Sequence, residues 1–237
     1  MASAYPVPSV SVVRPAPGVA GVLRRADRRA AAGLHPAERE LADALDGARR
    51  RDFIAGRHAA ADAMRLLGRS GPVLRDGARP RFPAGVRGSV SHCQGGAAAA
   101  VACVGPEIVG VGVDVERLGR LDRRTAGLVL TRRERAGLLR EPADAALLTV
   151  AFSAKEAAYK ALFGLAAARD LVFHSVEIRI AGSRLRVEPA RGLLPAGHRI
   201  AGQAHFDGPY VWTTVLVTAD DGVRAGERRA ADARSTG

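Results

Sequence analysis

Apolar residues follow a helical period in three parts of the chain. Within residues 36–68 they recur at three- and four-residue steps with a break near Gly47, which predicts two helices, the second ending at Gly68. The same spacing predicts further helices over residues 128–139 and 145–163.

Short runs of small and β-branched residues predict strands between these helices. Residues 97–104 and 108–115 flank the turn sequence Gly105-Pro106-Glu107 and are predicted to form a buried hairpin. Further strands are predicted over residues 171–180, 184–187, 199–206 and 210–218, the last two joined by a turn at 207–209. Helices followed by strands that pair in antiparallel sheets indicate an α+β fold.

The remaining segments are predicted to lack regular structure. Residues 1–20, interrupted by four prolines, are expected to be an extended leader, and residues 219–237 a polar, mobile tail. Residues 70–88 form a loop rich in glycine and proline that also holds four arginines, which makes it a candidate anion site. The leader has no secretory pattern and the chain has no apolar run long enough for a bilayer, so a cytoplasmic protein is expected.

The net charge of +12 indicates an anionic partner such as a phosphate, a nucleic acid or an acidic protein. An arginine-rich nucleic-acid-binding module is the main alternative to an enzyme. Aromatic residues make up only 4% of the chain, and the arginines are dispersed among acids, which disfavours that alternative. Cys93 and Cys103 are too few for a disulfide framework and are expected to be reduced thiols.

Two carboxylates at the end of a predicted strand form a candidate metal site. Asp114 and Glu116 are separated by one residue, so both side chains project from the same face. Magnesium prefers such oxygen ligands, and manganese accepts the same ligands. The alternative is a pair of solvated acids at an edge strand.

A third acid and a lysine lie one helical turn apart in the predicted helix over residues 145–163. Glu156 and Lys160 share a stripe there, as a metal ligand beside a phosphate would require. Lys155 and Lys160 are the only lysines among 36 basic residues, which favours a need for a point charge. Two alternatives remain: a capping box in which Glu156 pairs with Ser153, and an ordinary surface ion pair.

Other polar residues are candidates for binding phosphate groups. Ser91 and His92 follow the basic loop, and Arg49 and Arg57 lie about two helical turns apart. A solvated basic face is the alternative for each arginine considered alone. Ser91 and His92 do not form a nucleophile and base, because neighbours in a strand point to opposite faces, so a serine hydrolase is excluded.

Four segments together resemble the 4′-phosphopantetheinyl transferases in their order and spacing. They are residues 56–60 (GRHAA), 88–93 (GSVSHC), 112–116 (GVDVE) and 152–161 (FSAKEAAYKA). The resemblance covers residues 30–218 and is to the long, monomeric branch that activates surfactin and enterobactin synthetases, with Ser-His-Cys closer to the enterobactin type.

This resemblance implies a pseudodimer of two similar α+β halves, each with a small antiparallel sheet packed by helices, with coenzyme A between them. The expected halves are residues 21–112 and 113–218. The implied magnesium ligands are Asp114, Glu116 and Glu156. The implied coenzyme A contacts are Arg49, Arg57, Arg75, Ser91, His92 and Lys160. Lys160 and Glu156 are the expected catalytic residues, Glu156 as the base.

The implied reaction moves the phosphopantetheine arm of coenzyme A, as co-substrate, onto a serine of an apo acyl or peptidyl carrier protein and releases 3′,5′-ADP. The expected partner is a carrier domain with an acidic helix, with no membrane and no nucleic acid. A relative that binds coenzyme A without transferring the arm is a further alternative. The sequence leaves the pathway, the breadth of acceptors and the choice between magnesium and manganese open.

Overall fold

A computed structural model of the protein describes residues 10–25, 31–93, 96–138, 145–165 and 171–220. The strands in these residues are β1 Val10–Val13, β2 Val19–Arg25, β3 Leu74–Asp76, β4 Arg79–Arg81, β5 Arg87–Cys93, β6 Ala97–Cys103, β7 Ile108–Arg117, β8 Val176–Ala181, β9 Arg184–Pro189, β10 His198–Asp207 and β11 Tyr210–Ala219. The α-helices there are α1 Pro36–Asp43, α2 Gly47–Arg65, α3 Ala126–Val129, α4 Arg132–Leu138 and α5 Ala145–Leu162.

Two antiparallel sheets organise these elements. The first sheet has the strand order β1-β2-β6-β5, and the second has the order β7-β11-β10-β9-β8. Strands β3 and β4 form a small separate hairpin. The chain passes from the first sheet to the second between Cys103 and Ile108. The predicted α+β class and the arrangement in two halves are therefore confirmed.

The two sheets pack face to face, and a long helix covers the outer face of each. The contact between the sheets is an apolar cluster that includes Leu23, Val101 and Trp212. On the outer face of the first sheet, α2 packs Ala60 and Met64 against the strands. Helix α5 covers the second sheet in the same way. Burying apolar residues on both faces of each sheet explains why β6 is buried along its whole length.

Helix α5 lies unusually close to β7, because two glycines of the strand face it. A methyl group added at Gly112 would overlap the carbonyl oxygen of Ala157, and one added at Gly110 would overlap that of Ala161. The backbones of helix and strand are therefore in direct contact. This contact places the end of β7 beside the middle of α5.

Polar contacts also join the two halves. Asp207 at the end of β10 accepts hydrogen bonds from Ser11 Oγ at 2.6 Å and from an Arg25 nitrogen at 2.5 Å. At the opposite edge, Ser89 Oγ of β5 accepts a hydrogen bond of 3.1 Å from the backbone nitrogen of Val113. The last of these contacts holds the edge strands β5 and β7 side by side.

The helices over residues 36–68 match the prediction. Gly47 has a left-handed φ of 47° at the break, and Gly68 has a φ of 67° just beyond the end of α2. The predicted helix over residues 128–139 is instead divided, because Leu130 is extended and separates α3 from α4. Residue 139 lies outside the described residues.

The predicted hairpin of residues 97–104 and 108–115 is wrong, although both strands exist. Strand β6 pairs with β2 and β5, whereas β7 pairs with β11. The intervening turn therefore connects two sheets. The predicted boundary between residues 112 and 113 falls inside β7, so the change of sheet comes earlier in the chain.

The expected leader is corrected in its second part, since β1 and the start of β2 belong to the first sheet. Residues 1–9, as well as residues 221–237 of the expected tail, lie outside the described residues. The loop predicted over residues 70–88 contains the β3–β4 hairpin and the start of β5. Across the described ranges, every helix is too short or too polar to traverse a lipid bilayer.

Candidate active site

Strand β7 and helix α5 bring together the three acids singled out from the sequence. Burial raises the pKa of Glu116 to about 7, and the charges of Asp114 and Glu156 add to this rise. Burial also raises the pKa of Glu156, with the charge of Asp114 as the next cause. The carboxylates are therefore close enough to repel one another in a partly desolvated environment.

Lys160 of α5 reaches across to the same place. Its Nζ donates hydrogen bonds to Asp114 Oδ1 at 2.9 Å, to the carbonyl oxygen of Val113 at 3.0 Å and to Ser91 Oγ at 3.1 Å. Asp114 is 4% exposed, so this ammonium neutralises a buried charge. The predicted stripe of Glu156 and Lys160 thus faces the end of β7.

Asp114, Glu116 and Glu156 are suitable ligands for a divalent cation, although their side chains are not arranged as a complete coordination site. In the part of the chain that the structure describes, no three His, Cys, Asp or Glu side chains are arranged closely enough to hold a metal ion. However, Oδ2 of Asp114 is buried without a hydrogen-bond partner, and both glutamates have raised pKa values. A divalent cation would supply the missing partner and relieve the repulsion. The metal assignment stays a prediction.

The capping-box alternative for Glu156 is wrong. Helix α5 begins at Ala145, so Ser153 lies in its interior and caps no helix start. Its hydroxyl instead exchanges a buried hydrogen bond of 2.9 Å with Thr213 Oγ1. The side chain of Glu156 is therefore not used to satisfy a helix terminus.

Ser91 and His92 point to opposite faces of β5, as alternation predicts. Ser91 is buried, and its Oγ donates a 2.8 Å hydrogen bond to Asp114 Oδ1. His92 is exposed, with Nδ1 3.4 Å from a carboxylate oxygen of Asp52. The two residues thus face different places: Ser91 contacts Asp114 and Lys160, whereas His92 lines a basic pocket.

That basic pocket has a volume of about 300 Å³ and lies between α2 and the β3–β4 hairpin. The predicted residues Arg49, Arg57, Arg75 and His92 all line it. Several guanidinium groups around one cavity suit a phosphate, because each presents paired donors. The structure therefore brings together residues that were separate candidates in the sequence.

Arg57 is the most buried of these four residues. Its pKa is lowered to about 10, chiefly by burial; the charge of Glu38 opposes this shift, and that of Arg75 adds to it. Its guanidinium lies 4.2 Å from the centre of the Phe53 ring and donates a hydrogen bond of 3.2 Å to the carbonyl oxygen of Leu74. These contacts fix α2 against the hairpin, and the buried Nε has no hydrogen-bond partner.

A larger cleft of about 760 Å³ adjoins the basic pocket and runs between the halves. Residues 78–80 of the β3–β4 hairpin line both cavities, and Lys160 lies on the far wall of the cleft. Arg79 of the hairpin lies 4.3 Å from the centre of the Phe163 ring beyond α5, so it bridges the two halves. The sequence marked Arg79 only as one of the loop's arginines.

A third cavity, of about 310 Å³ and mostly apolar, opens on the other side of Tyr159. Tyr159 lines both this cavity and the cleft, and Glu156 lies at its wall. We refer to it as the apolar pocket; its further walls are Lys155, Leu171, Val172, Phe173 and Val176. The pattern of the sequence did not indicate this pocket.

Two protein-family models together match most of the residues that the structure describes. The 4'-phosphopantetheinyl transferase N-terminal domain matches residues 37–102, and the 4'-phosphopantetheinyl transferase superfamily matches residues 110–213. The protein Svp of Streptomyces mobaraensis, a 4'-phosphopantetheinyl transferase, is 33% identical over 185 residues, which cover 70% of this chain and 73% of Svp.

The chain belongs to the 4′-phosphopantetheinyl transferase superfamily.

Other members of this superfamily match shorter segments. The 4'-phosphopantetheinyl transferase Npt of Nocardia iowensis is 38% identical over 146 residues, 61% of this chain and 65% of Npt. Enterobactin synthase component D of Salmonella typhi is 38% identical over 117 residues, 48% of either protein. The chain thus spans about half to two thirds of the length of these two relatives. The resemblance inferred from the sequence, including the enterobactin-like branch, is confirmed.

All the residues predicted to act in the site lie in segments that match this 4′-phosphopantetheinyl transferase family. The segment in the first half holds Arg49, Arg57, Arg75, Ser91 and His92. The segment in the second half holds Asp114, Glu116, Glu156 and Lys160. The roles given to them individually remain predictions.

Proposed function

We propose that the protein transfers the 4′-phosphopantetheine arm of coenzyme A to a serine hydroxyl of an apo carrier protein and releases 3′,5′-ADP. The observation that carries this proposal is that α5 places Lys160 against Asp114 at the end of β7, where Lys160 and Glu156 line two of three neighbouring cavities. One cavity is basic, one is a long cleft between the halves, and one is apolar. These cavities match the three parts of coenzyme A. The phosphorylated nucleotide suits the basic pocket, the diphosphate suits the cleft beside Lys160, and the largely uncharged arm suits the apolar pocket.

The basic pocket is the proposed site of the nucleotide's 3′-phosphate. Arg49 and Arg75 offer paired donors there, and the buried Arg57 holds the pocket's wall while contributing positive charge. His92 lines the same pocket, where a ring nitrogen is a further potential hydrogen-bond donor to the phosphate. The nucleotide would then enter from the first half, with its diphosphate directed toward Lys160.

The diphosphate is proposed to lie beside Lys160, Ser91 and the three acids. Magnesium held by Asp114, Glu116 and Glu156 would neutralise negative charge on the diphosphate oxygens, and manganese could replace it. Lys160 holds its ammonium toward the same place by its bonds to Asp114 and Ser91. In phosphoryl transfer most of the catalytic effect comes from such positioning and charge stabilisation.

The serine oxygen of the carrier would attack the β-phosphorus, and the bond from this phosphorus to the bridging oxygen of 3′,5′-ADP would break. Glu156 is the proposed acceptor of the serine proton. It lines the apolar pocket and lies one helical turn from Lys160, so it borders the place proposed for the diphosphate. The apolar pocket beside Glu156 is the proposed site of the uncharged part of the arm, because its walls are mostly hydrocarbon.

The proposal includes a monomer in which the two halves enclose coenzyme A, acting in the cytoplasm. It is tested by incubating the protein with mass-tagged coenzyme A and an apo carrier protein, with magnesium or with a chelator. The carrier is expected to gain the tagged arm only with magnesium, and a carrier with alanine at the acceptor serine should gain nothing. Tight binding of coenzyme A without any transfer would instead indicate a relative that has lost the activity.

The net charge of +12 leads to a prediction about the carrier. An acidic helix next to the acceptor serine would be steered toward this surface, and at 1 M salt the screening length falls to about 3 Å. We expect 1 M salt to lower kcat/KM for the carrier by roughly tenfold or more, a larger loss than in the affinity for coenzyme A. Steady-state rates and calorimetry at two salt concentrations measure both. Equal losses in the two quantities would argue against steering.

A further inference from the structure

The second lysine of the chain, Lys155, lies on the opposite side of α5 from Lys160 and is almost wholly buried. Its side chain is 1% exposed, and that of its partner Glu134 is 3% exposed. A buried ion pair is weak support for stability, because desolvation opposes the attraction. The pair therefore calls for a role beyond the folding energy.

We propose that Lys155 and Glu134 are a positioning pair that holds one wall of the apolar pocket in place next to Glu156. The inference rests on the proposed function, because it concerns the pocket assigned to the phosphopantetheine arm. Neither side chain takes part in the chemistry directly. Their effect is to set where the arm lies.

The ammonium of Lys155 has three N–H donors, and three acceptors surround it. Nζ donates to Glu134 Oε2 at 2.8 Å, to the carbonyl oxygen of Phe173 at 2.8 Å and to that of Val176 at 2.6 Å. Both carbonyl groups belong to residues that line the apolar pocket. An arginine at this position would present a planar fork, which does not match three acceptors around one nitrogen.

Glu134 is itself held by two backbone donors. Its Oε2 also accepts a 2.8 Å hydrogen bond from the nitrogen of Thr131, at the start of α4, and its Oε1 accepts one of 2.7 Å from the nitrogen of Ile178 in β8. The carboxylate therefore joins α4, α5 and β8 at one point. A group with so many fixed partners can position Lys155 with little freedom.

The segment from Phe173 to Val176 contacts α5 through Phe152 and Lys155. The ring of Phe173 packs against that of Phe152, with centroids 5.4 Å apart, and the two bonds from Lys155 fix the backbone at both ends of the segment. Glu156 follows Lys155 directly in α5 and lines the same pocket. The spacing between the wall and the proposed base is thus set by the lysine.

Three variants separate positioning from folding: Lys155→Met, Glu134→Gln and the double variant. Lys155→Met leaves a buried carboxylate unpaired and is expected to be destabilised. Glu134→Gln leaves the buried ammonium without its carboxylate and is also expected to be destabilised, but it keeps both bonds from Lys155 to the carbonyl groups, so the wall should stay in place. The double variant has no unpaired buried charge, so it should fold. It lacks the two bonds from Lys155 to the carbonyl groups of Phe173 and Val176, so this wall of the apolar pocket should be less ordered.

The readout is the affinity for coenzyme A compared with that for 3′,5′-ADP, which lacks the arm, measured by calorimetry on the full chain. In the double variant we expect coenzyme A to bind roughly tenfold more weakly, because binding must then order the wall, while 3′,5′-ADP binds within about twofold of wild type. KM for coenzyme A should rise likewise. The affinities of the Glu134→Gln variant for coenzyme A and for 3′,5′-ADP should both stay near those of wild type.

Arg133→Ala is the matched control. Arg133 lies on the same helix in an exposed ion pair with Glu177, 3.4 Å away, and lines none of the three cavities. A double variant with the wild-type ratio of the two affinities would overturn the positioning role and leave the proposed function standing. If wild-type protein bound neither ligand, the proposed function would fail, and the positioning role with it.

Discussion

Replacing Asp114 with asparagine or alanine is expected to lower the rate of arm transfer by about a thousandfold or more, with the fold retained. Asp114 contacts Lys160 and Ser91 through Oδ1, and its buried Oδ2 has no partner among the residues described. Its loss removes a proposed cation ligand and the partner that orients the lysine. Transfer of a mass-tagged arm to a carrier measures the rate.

Stability should change little, because removing Asp114 also removes a charge that repels Glu116 and Glu156. The melting temperature without magnesium is therefore expected to stay within a few degrees of wild type. Asp43→Ala is the control, since it deletes an exposed acid paired with Arg50. Wild-type transfer by the Asp114 variants would remove the metal assignment.

Replacing Lys160 with methionine is expected to lower kcat by roughly a hundredfold to a thousandfold. Methionine retains the packing of the side-chain stem but loses the charge that faces Asp114 and the proposed diphosphate. Lys160→Arg should recover only part of the rate, because a planar guanidinium cannot reproduce three bonds from a single nitrogen. Single-turnover measurements at saturating coenzyme A isolate this step from binding.

A surface substitution provides the comparison for Lys160. Arg179→Met removes one positive charge from an exposed ion pair with Glu188 in the second sheet, away from the cavities. It should leave kcat within about twofold of wild type. If Lys160→Met and Arg179→Met behaved alike, Lys160 would have no special part in stabilising charge during transfer.

Local periodicity was sufficient to predict most elements of this fold and the orientation of the strand acids. The alternation of side chains in β7 correctly placed Asp114 and Glu116 on one face, and helical spacing correctly placed Glu156 one turn from Lys160. These features depend on a single element and its period. The four motif segments then indicated the family, because together they are far more specific than any one.

Features that depend on distant partners could not be predicted in this way. The turn at residues 105–107 looks like a hairpin locally, yet β6 and β7 find partners in different sheets. Packing against remote strands overrides the local turn signal there. The Ser153 pattern alone looks like a helix start, but the period over residues 145–163 already placed Ser153 inside a helix, as observed.

The site shows the same limit. The scarcity of lysine drew attention to Lys155, but its burial follows from Glu134 and two backbone carbonyl groups in later segments. Likewise, Arg79 gained importance only from the position of Phe163 across the cleft. The convergence of arginines from α2 and the hairpin on one pocket also required the folded chain.

The absence of side chains at Gly110 and Gly112 has an evolutionary consequence. Because two backbones touch there, the separation of β7 and α5 does not depend on the volumes of interchangeable core residues. We therefore expect exchanges among valine, isoleucine and leucine elsewhere in the core to displace the acids less than any side chain added at Gly110 or Gly112. Selection on the catalytic geometry would then act on these two glycines more strongly than on the volumes of the surrounding apolar residues.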